Sequence, residues 1–341
     1  MMLVALVVGT TASYFTDSEE STSNVARVIN NWYDFAWHWR KPITINNGGG
    51  ALTNYQVKVV INTQELISAG KMQSNGNDIR FTTSNGMTSI DYWIESGINT
   101  ASTVIWVEVP SVPAGNSTTY MYYGNTSATA ASSGDNTFLF FDDFLGTSLD
   151  TTNKWDIINP SAGSYSVNGG LLTIQSTGDW WGTFDTSLYV VSKSSFNFAY
   201  AAESLINQIG DNSYNRLFGL RASSATNSRM SVLLVDNDSS HITDAYRSSD
   251  GGNANWDGEN SGTPNPGNNK VARFERNGDT VSSYYNNSLV NTRTVTNWNL
   301  VKVGLTDSFF FGTQQANIFD WIFVRKYTSP EPAMTGIGAE E

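Results

Sequence analysis

Glycosidic-bond cleavage by paired carboxyl groups needs the two about 5–10 Å apart, and on a β-strand two side chains share a face only at alternating positions. The carboxylates of this sequence do not offer that pattern. Glu203 stands alone, Asp236 and Asp238 alternate without a partnering Glu, and Asp257 and Glu259 fall in a stretch rich in Gly and Asn. Cysteine is absent, which removes thiol nucleophiles, disulfides and zinc–thiolate centres. His38 and His241 have no metal-ligand spacing, and neither accompanies a Gly-x-Ser-x-Gly elbow. These residues predict a chain that is not an enzyme.

Binding is better provided for than catalysis. Aromatic faces stack on sugar rings while neighbouring amides meet the hydroxyls, and Trp180, Trp181, Trp256, Tyr284 and Tyr285 are the candidates. Trp180 and Trp181 are adjacent, so on a strand they point to opposite faces and only one need enter a core. Trp256 lies in the polar run GGNANWDGENSGTPNPGNN, with few periodic apolar neighbours to bury it. The net charge of −12, with 19 Lys and Arg spread along the chain, argues against a nucleic-acid partner, because phosphate binding needs clustered basic residues. Sequons at Asn116, Asn125, Asn237 and Asn286 are candidate glycosylation sites and fit an exported protein.

The elements that must position these groups are strands. Aromatic residues make up 13% of the chain and charged residues 15%, a balance suited to β-sandwiches with polar loops. At 341 residues the chain is long enough for two domains and a terminal segment. Short strands broken by Gly, Asn and Pro turns run from Trp39 to Gly124, with one short helix from Thr63 to Lys71. Residues 125–137, NTSATAASSGDNT, are small and polar and read as a linker. Beyond it, strands are expected at Leu217–Ala222, Met230–Val235, Lys270–Arg276, Thr280–Tyr285, Leu300–Leu305 and Phe319–Arg325. The expected fold is mainly β: an N-terminal α-helix over residues 1–39, then antiparallel, jelly-roll-like β-sandwich domains over 40–124 and 138–341.

The opening has a different character. Met1 to Phe15 is apolar and about 22 Å long as a helix, short against a bilayer core of about 30 Å. It also lacks the basic flank of a secretory signal. Val25, Val28, Ile29, Trp32, Phe35, Ala36 and Trp39 recur at spacings of three and four, which predicts one apolar helical face. An assembly helix is expected here, carried by Met1, Leu3, Val4, Leu6, Val7, Val8, Tyr14, Phe15, Val25, Val28, Ile29 and Trp32. An export signal and a membrane anchor are the alternatives.

Several stretches resemble known families. GTTASYFTDSE, residues 9–19, resembles the signal junction of TasA and camelysin-like exported fibre proteins, while the apolar-then-polar opening resembles the helices of archaeal type IV pilins and archaellins. The phrases WRKPITI, NYQVKVVI, NDIRFT, DYWIES, TVIWVEVPSVPAG and TYMYYGN, in that order over roughly residues 37–130, resemble the surface-protein family known as domain of unknown function 2341. That resemblance implies a β-sandwich on exported prokaryotic proteins and no established reaction. FFDDFLGTSLDTTNKWDI and YSVNGGLLTIQS resemble the opening of concanavalin A-like jelly rolls of the laminin G and lectin kind. First and last strands are neighbours in such folds, so Asp142, Asp143 and Asp320 would converge as hard oxygen ligands for calcium. The Glu-x-Asp-x-Glu strand of jelly-roll glycosidases is missing.

Together these features predict a structural subunit of an extracellular prokaryotic filament of archaeal type. It would polymerise with copies of itself through the N-terminal helix and meet a membrane only before assembly or as an anchor. A TasA-like donor-strand fibre subunit is one alternative. The other is a secreted or membrane-anchored adhesin whose partners are surface glycans.

Overall fold

The computed structural model describes residues 6–8, 11–13, 32–177, 187–197, 199–210, 215–222, 230–235, 241–247, 263–264, 267–295, 298, 301–307 and 315–341. Two compact units are present, Met1–Trp32 and Tyr33–Glu341. In the first, Leu6–Val8 and Thr11–Ser13 are short strands paired antiparallel. Leu6, Val7 and Val8 therefore do not form the expected helix. Val and Thr are stiff at χ1 and favour extended pairing. Met1, Leu3, Val4, Tyr14, Phe15, Val25, Val28 and Ile29 lie outside the described residues. Among the described residues no helix is long and apolar enough to cross a membrane.

Residues Trp32 to His38 also carry no helix. Asp34 accepts from the Ala36 N–H through its side chain at 2.8 Å and from the Trp37 N–H through its carbonyl at 3.0 Å, a local turn that competes with helix formation. Phe35 is left exposed, while Trp37 is buried and donates its indole N–H to the Asp78 carbonyl at 2.7 Å. The face expected from the spacing of three and four is split between solvent and core.

From Trp39 onward the alternation of apolar residues does what a half-buried strand requires. Ala333–Ile337, Trp39–Asn47, Gly115–Tyr123, Arg80–Thr82 and Ser89–Ile90 form a five-stranded sheet in that order, and Leu52–Ile61, Thr103–Val112 and Tyr92–Ser96 form a three-stranded one. Ile43, Ile45, Val57, Val59, Ile105, Val107 and Met121 fill the space between them. The expected short helix is present as Thr63–Ser68, capped by the Asn62 side chain. Gly124 closes the last strand with φ +93, donating its N–H to Asp78 Oδ2 at 2.7 Å. Any Cβ there would strike the Trp39 ring.

The second sandwich packs an eight-stranded sheet on a seven-stranded one. Trp155, Leu172, Ile174, Tyr200, Phe218, Phe274, Val303 and Ile322 are among its core residues. The strands expected from the sequence appear as Arg216–Ala222, Met230–Val235, Lys270–Asn277, Thr280–Tyr285, Val301–Thr306 and Asn317–Lys326. Phe140–Asp142 pairs with Asn317–Lys326, so the first and last strands of this sandwich are indeed neighbours.

Two boundaries differ from the sequence reading. Ala333–Ile337, assigned there to the second domain, hydrogen-bonds along Trp39–Asn47 in the first. The acidic chain end is drawn to basic residues: Glu341 pairs with Arg40 at 2.6 Å and Glu340 pairs with Lys71. Residues 125–137 are strapped down rather than free. Gln73 Nε2 donates to the carbonyls of Asn125 and Ala128 at 2.8 and 3.0 Å, Arg80 Nη2 to that of Thr129 at 2.8 Å, and the Ser133 N–H to that of Tyr92 at 2.9 Å. Small residues let the linker backbone lie close enough to be bonded.

The same period of two that builds each core also builds the junction. Tyr92 points into the first core and Trp93 away from it; Ile105 and Val107 point in and Trp106 away. On the second sandwich Ile322 and Val324 point in, and Trp321 and Phe323 away. The outward residues meet Phe138 and Phe141 in one buried aromatic cluster, with Phe138 stacked on Phe323 at 4.2 Å.

Candidate functional site

Beside that aromatic cluster the two sandwiches enclose a cleft of about 600 Å³. One wall is the outward face of the three-stranded sheet: Gln56, Lys58 and Val60 on Leu52–Ile61, and Trp106, which lies directly across from Lys58. The floor is the outward face of the eight-stranded sheet, with Glu203 and Arg273 in register on adjacent strands and Arg325 on the next. Residues 331–337 of the returning segment make the far wall.

Arg325 is the hub of this floor. Its side chain is 2% exposed and pairs with Glu203 at 2.9 Å. It also pairs with Glu331, and its guanidinium lies 4.8 Å from the Trp106 ring centre. Burial alone would depress the guanidinium, but the charges of Glu203 and Glu331 outweigh it and raise the group above the usual arginine range. The Trp106 indole N–H donates to Glu95 Oε2 at 2.7 Å, and Lys58 Nζ stands 3.9 Å from the same oxygen. Burial raises the Glu95 carboxyl, the Lys58 charge and the Trp106 bond oppose that shift, and the Glu203 charge adds to it. Glu203 is therefore not alone, as it is in the sequence; it is an electrostatic neighbour of Glu95.

Sequence reasoning missed this group because its members come from five distant stretches, around residues 56–60, 95–106, 203, 273 and 325–337. One signal was available. Ala199–Gln208 and Asn317–Lys326 are apolar on both faces, so a charge inside either run has to be paired.

The residues singled out from the sequence scatter. Tyr284 is half-buried beside the cleft, with the Arg273 guanidinium 4.3 Å from its ring centre. Tyr285 is corrected: it is 1% exposed in the core, donating its hydroxyl to the Gly267 carbonyl at 3.1 Å, because adjacent strand residues face opposite ways. Trp180, Trp181, Trp256 and Asn237 lie outside the described residues. Asn116 and Asn286 are exposed and Asn125 half-buried.

Of the three aspartates expected to hold calcium, Asp142 is committed elsewhere. It accepts from the Phe144 N–H at 2.9 Å and the Trp155 indole at 2.6 Å. Asp143 and Asp320 are electrostatic neighbours. Among the described residues no group of three acidic, histidine or cysteine side chains could hold a metal.

A family model described as a domain of unknown function (DUF2341) matches residues 75–158. The match runs from the first sandwich through the linker into the second. No curated protein matches the chain. Among solved structures, the chain is similar to an endo-β-1,3-glucanase from Pyrococcus furiosus (9% identity, 56% of this chain and 95% of that one, TM-score 0.44). It is also similar to porphyranase B from Zobellia galactanivorans (14%, 55% and 92%, 0.39) and to a β-1,3-1,4-glucanase from a mouse hindgut metagenome (9%, 55% and 99%, 0.41). At these identities the likeness concerns the fold. The neighbours are glycan-acting enzymes, where the sequence pointed to a self-assembling filament subunit and to no enzyme; both expectations are corrected by this finding.

The buried carboxyls set a pH dependence. Burial raises Glu95, Glu108, Asp142 and Asp320 above the ordinary carboxylate range. A group raised in the folded state contributes stability that is complete below its unfolded pKa and is lost as pH rises through the folded one. Asp156 and Glu340 are lowered by their lysine partners, but both are partly exposed, where solvent screening discounts them. The melting temperature is therefore expected to be higher at about pH 5 than at about pH 7.5, with Glu95→Gln shrinking the difference. A melting temperature that falls over the same acidification contradicts this.

Proposed function

We propose that the chain is a glycan-acting protein of the cell exterior that holds a carbohydrate in the cleft between its two sandwiches. The cleft itself carries the reading. A sugar site needs apolar surface for the ring faces and a few converging polar groups for the hydroxyls. Val60, Met334 and Ile337 offer the first, and Lys58, Arg273, Glu203 and Glu331 the second. Exposed sequons at Asn116 and Asn286 support the exterior location. The test is retardation of the protein in gels containing soluble polysaccharides. Lys58→Ala and Arg273→Ala are each expected to weaken binding about tenfold, the effect of losing a charge-assisted hydrogen bond. Retardation unchanged in both variants would sink the cleft as the site.

Hydrolysis is a second reading, favoured by Glu95 and Glu203 being electrostatic neighbours at this junction. Burial holds Glu95 toward its protonated form, and Glu203 is ion-paired; an acid and a carboxylate in unlike surroundings are what glycoside cleavage requires. New reducing ends are expected from a bound glycan with the parent chain and none with Glu203→Gln. If the parent chain releases none from any glycan it binds, binding stands and hydrolysis does not.

A further inference from the structure

A second recess lies under the edge strand Gly163–Asn168 and shares no lining residue with the cleft. It measures about 680 Å³ and continues, through Ser148, Leu149, Asp150 and Val167, into a groove of about 540 Å³ that reaches the linker. Val167 and Tyr165 share one face of that strand. Val167 enters the core, whereas Tyr165 remains 38% exposed and borders the recess. A large aromatic ring left at the edge of a groove otherwise rimmed by Thr and Ser hydroxyls is the composition that sugar rings meet.

The rim is pre-set. Asp150 accepts from the Thr152 and Asn153 N–H groups at 3.1 and 2.9 Å and from Asn153 Nδ2 at 3.1 Å, so binding does not have to order it. The charge balance selects among sugars. Asp135, Asp142, Asp143 and Asp150 line the combined groove against Lys154 alone, and Lys154 is already paired with Asp135 at 2.8 Å. Sulfated and uronic chains meet like charge there.

We propose that this groove is a second binding site, for neutral glycan chains, with Tyr165 as the stacking platform. The proposal rests on the glycan-acting reading and extends it: two sites on one chain would let a long polymer bind more tightly than a short one. The experiment is gel retardation with four neutral polymers (a 1,3-β-glucan, a 1,4-β-glucan, a xylan and a mannan) and one acidic polymer, polygalacturonate. The parent chain, Tyr165→Ala, Tyr165→Phe and Lys58→Ala are compared, each checked for unchanged melting temperature. Tyr165→Ala is expected to weaken retention by a neutral polymer about fivefold and Tyr165→Phe to leave it intact, because the ring rather than the hydroxyl stacks. If Tyr165→Ala is retained like the parent while Lys58→Ala is not, the groove is overturned and the cleft survives. Retention by polygalacturonate that depends on Tyr165 overturns the neutral-glycan assignment. No retention by any polymer overturns both sites.

Discussion

Arg325→Ala is expected to destabilise the protein by about 3–5 kcal/mol, the cost of breaking a buried ion pair from one side. The guanidinium is almost wholly buried and is shared by Glu203, itself 4% exposed, and by Glu331. Removing it leaves the buried Glu203 carboxylate without its ion-pair partner and close to the Glu95 charge. Loss of the stack on Trp106 adds to the effect. The double variant Arg325→Met with Glu203→Leu is expected to recover much of the loss, since a buried pair replaced by apolar groups of similar size is often neutral. Chemical denaturation measures both. A single variant within about 1 kcal/mol of the parent, the range of exposed pairs, would show that Arg325 is not buried as described.

Phe323→Ala has the second large effect, about 3–5 kcal/mol for a truncated core aromatic. Phe323 is fully buried and stacks on Phe138 and on Trp321, at 4.2 and 5.1 Å. The void it leaves lies between sandwiches rather than within one, so the consequence is uncoupling as well as destabilisation. One cooperative melting transition is expected to become two, and residues 125–137 to become open to proteolysis once the linker contacts loosen. A linker that stays resistant in the variant contradicts the aromatic cluster as the coupling element.

Much of the β architecture was legible because it depends on a local signal. Alternation in Trp39–Asn47 and Thr103–Val112, and the helix at Thr63–Ser68 behind its Asn62 cap, are properties of short windows. The opening is corrected in its described parts: Leu6–Val8 is a strand, and although spacings of three and four between Val25 and Trp39 look helical, the Asp34 turn and the Asp78 partner of Trp37 keep its last part out of any helix. The candidate site was illegible because Lys58, Glu95, Glu203, Arg325 and Glu331 come together only when the chain end returns to the first sandwich. Nothing in a window around Glu203 indicates Glu95 or Arg325. Trp93, Trp106 and Trp321 are buried at the junction rather than inside either sandwich, a distinction that alternation alone does not make.

The most direct test of the central claim is to locate the ligand. A photoreactive derivative of a glycan that the protein retains would be crosslinked to the intact chain, and the labelled peptides identified by mass spectrometry. The predicted result is label on the peptides carrying Lys58, Arg273 and residues 331–337, competed away by the unmodified glycan and reduced in Lys58→Ala. Label that is competed equally well but falls entirely outside those three stretches would contradict the cleft as the proposed carbohydrate site.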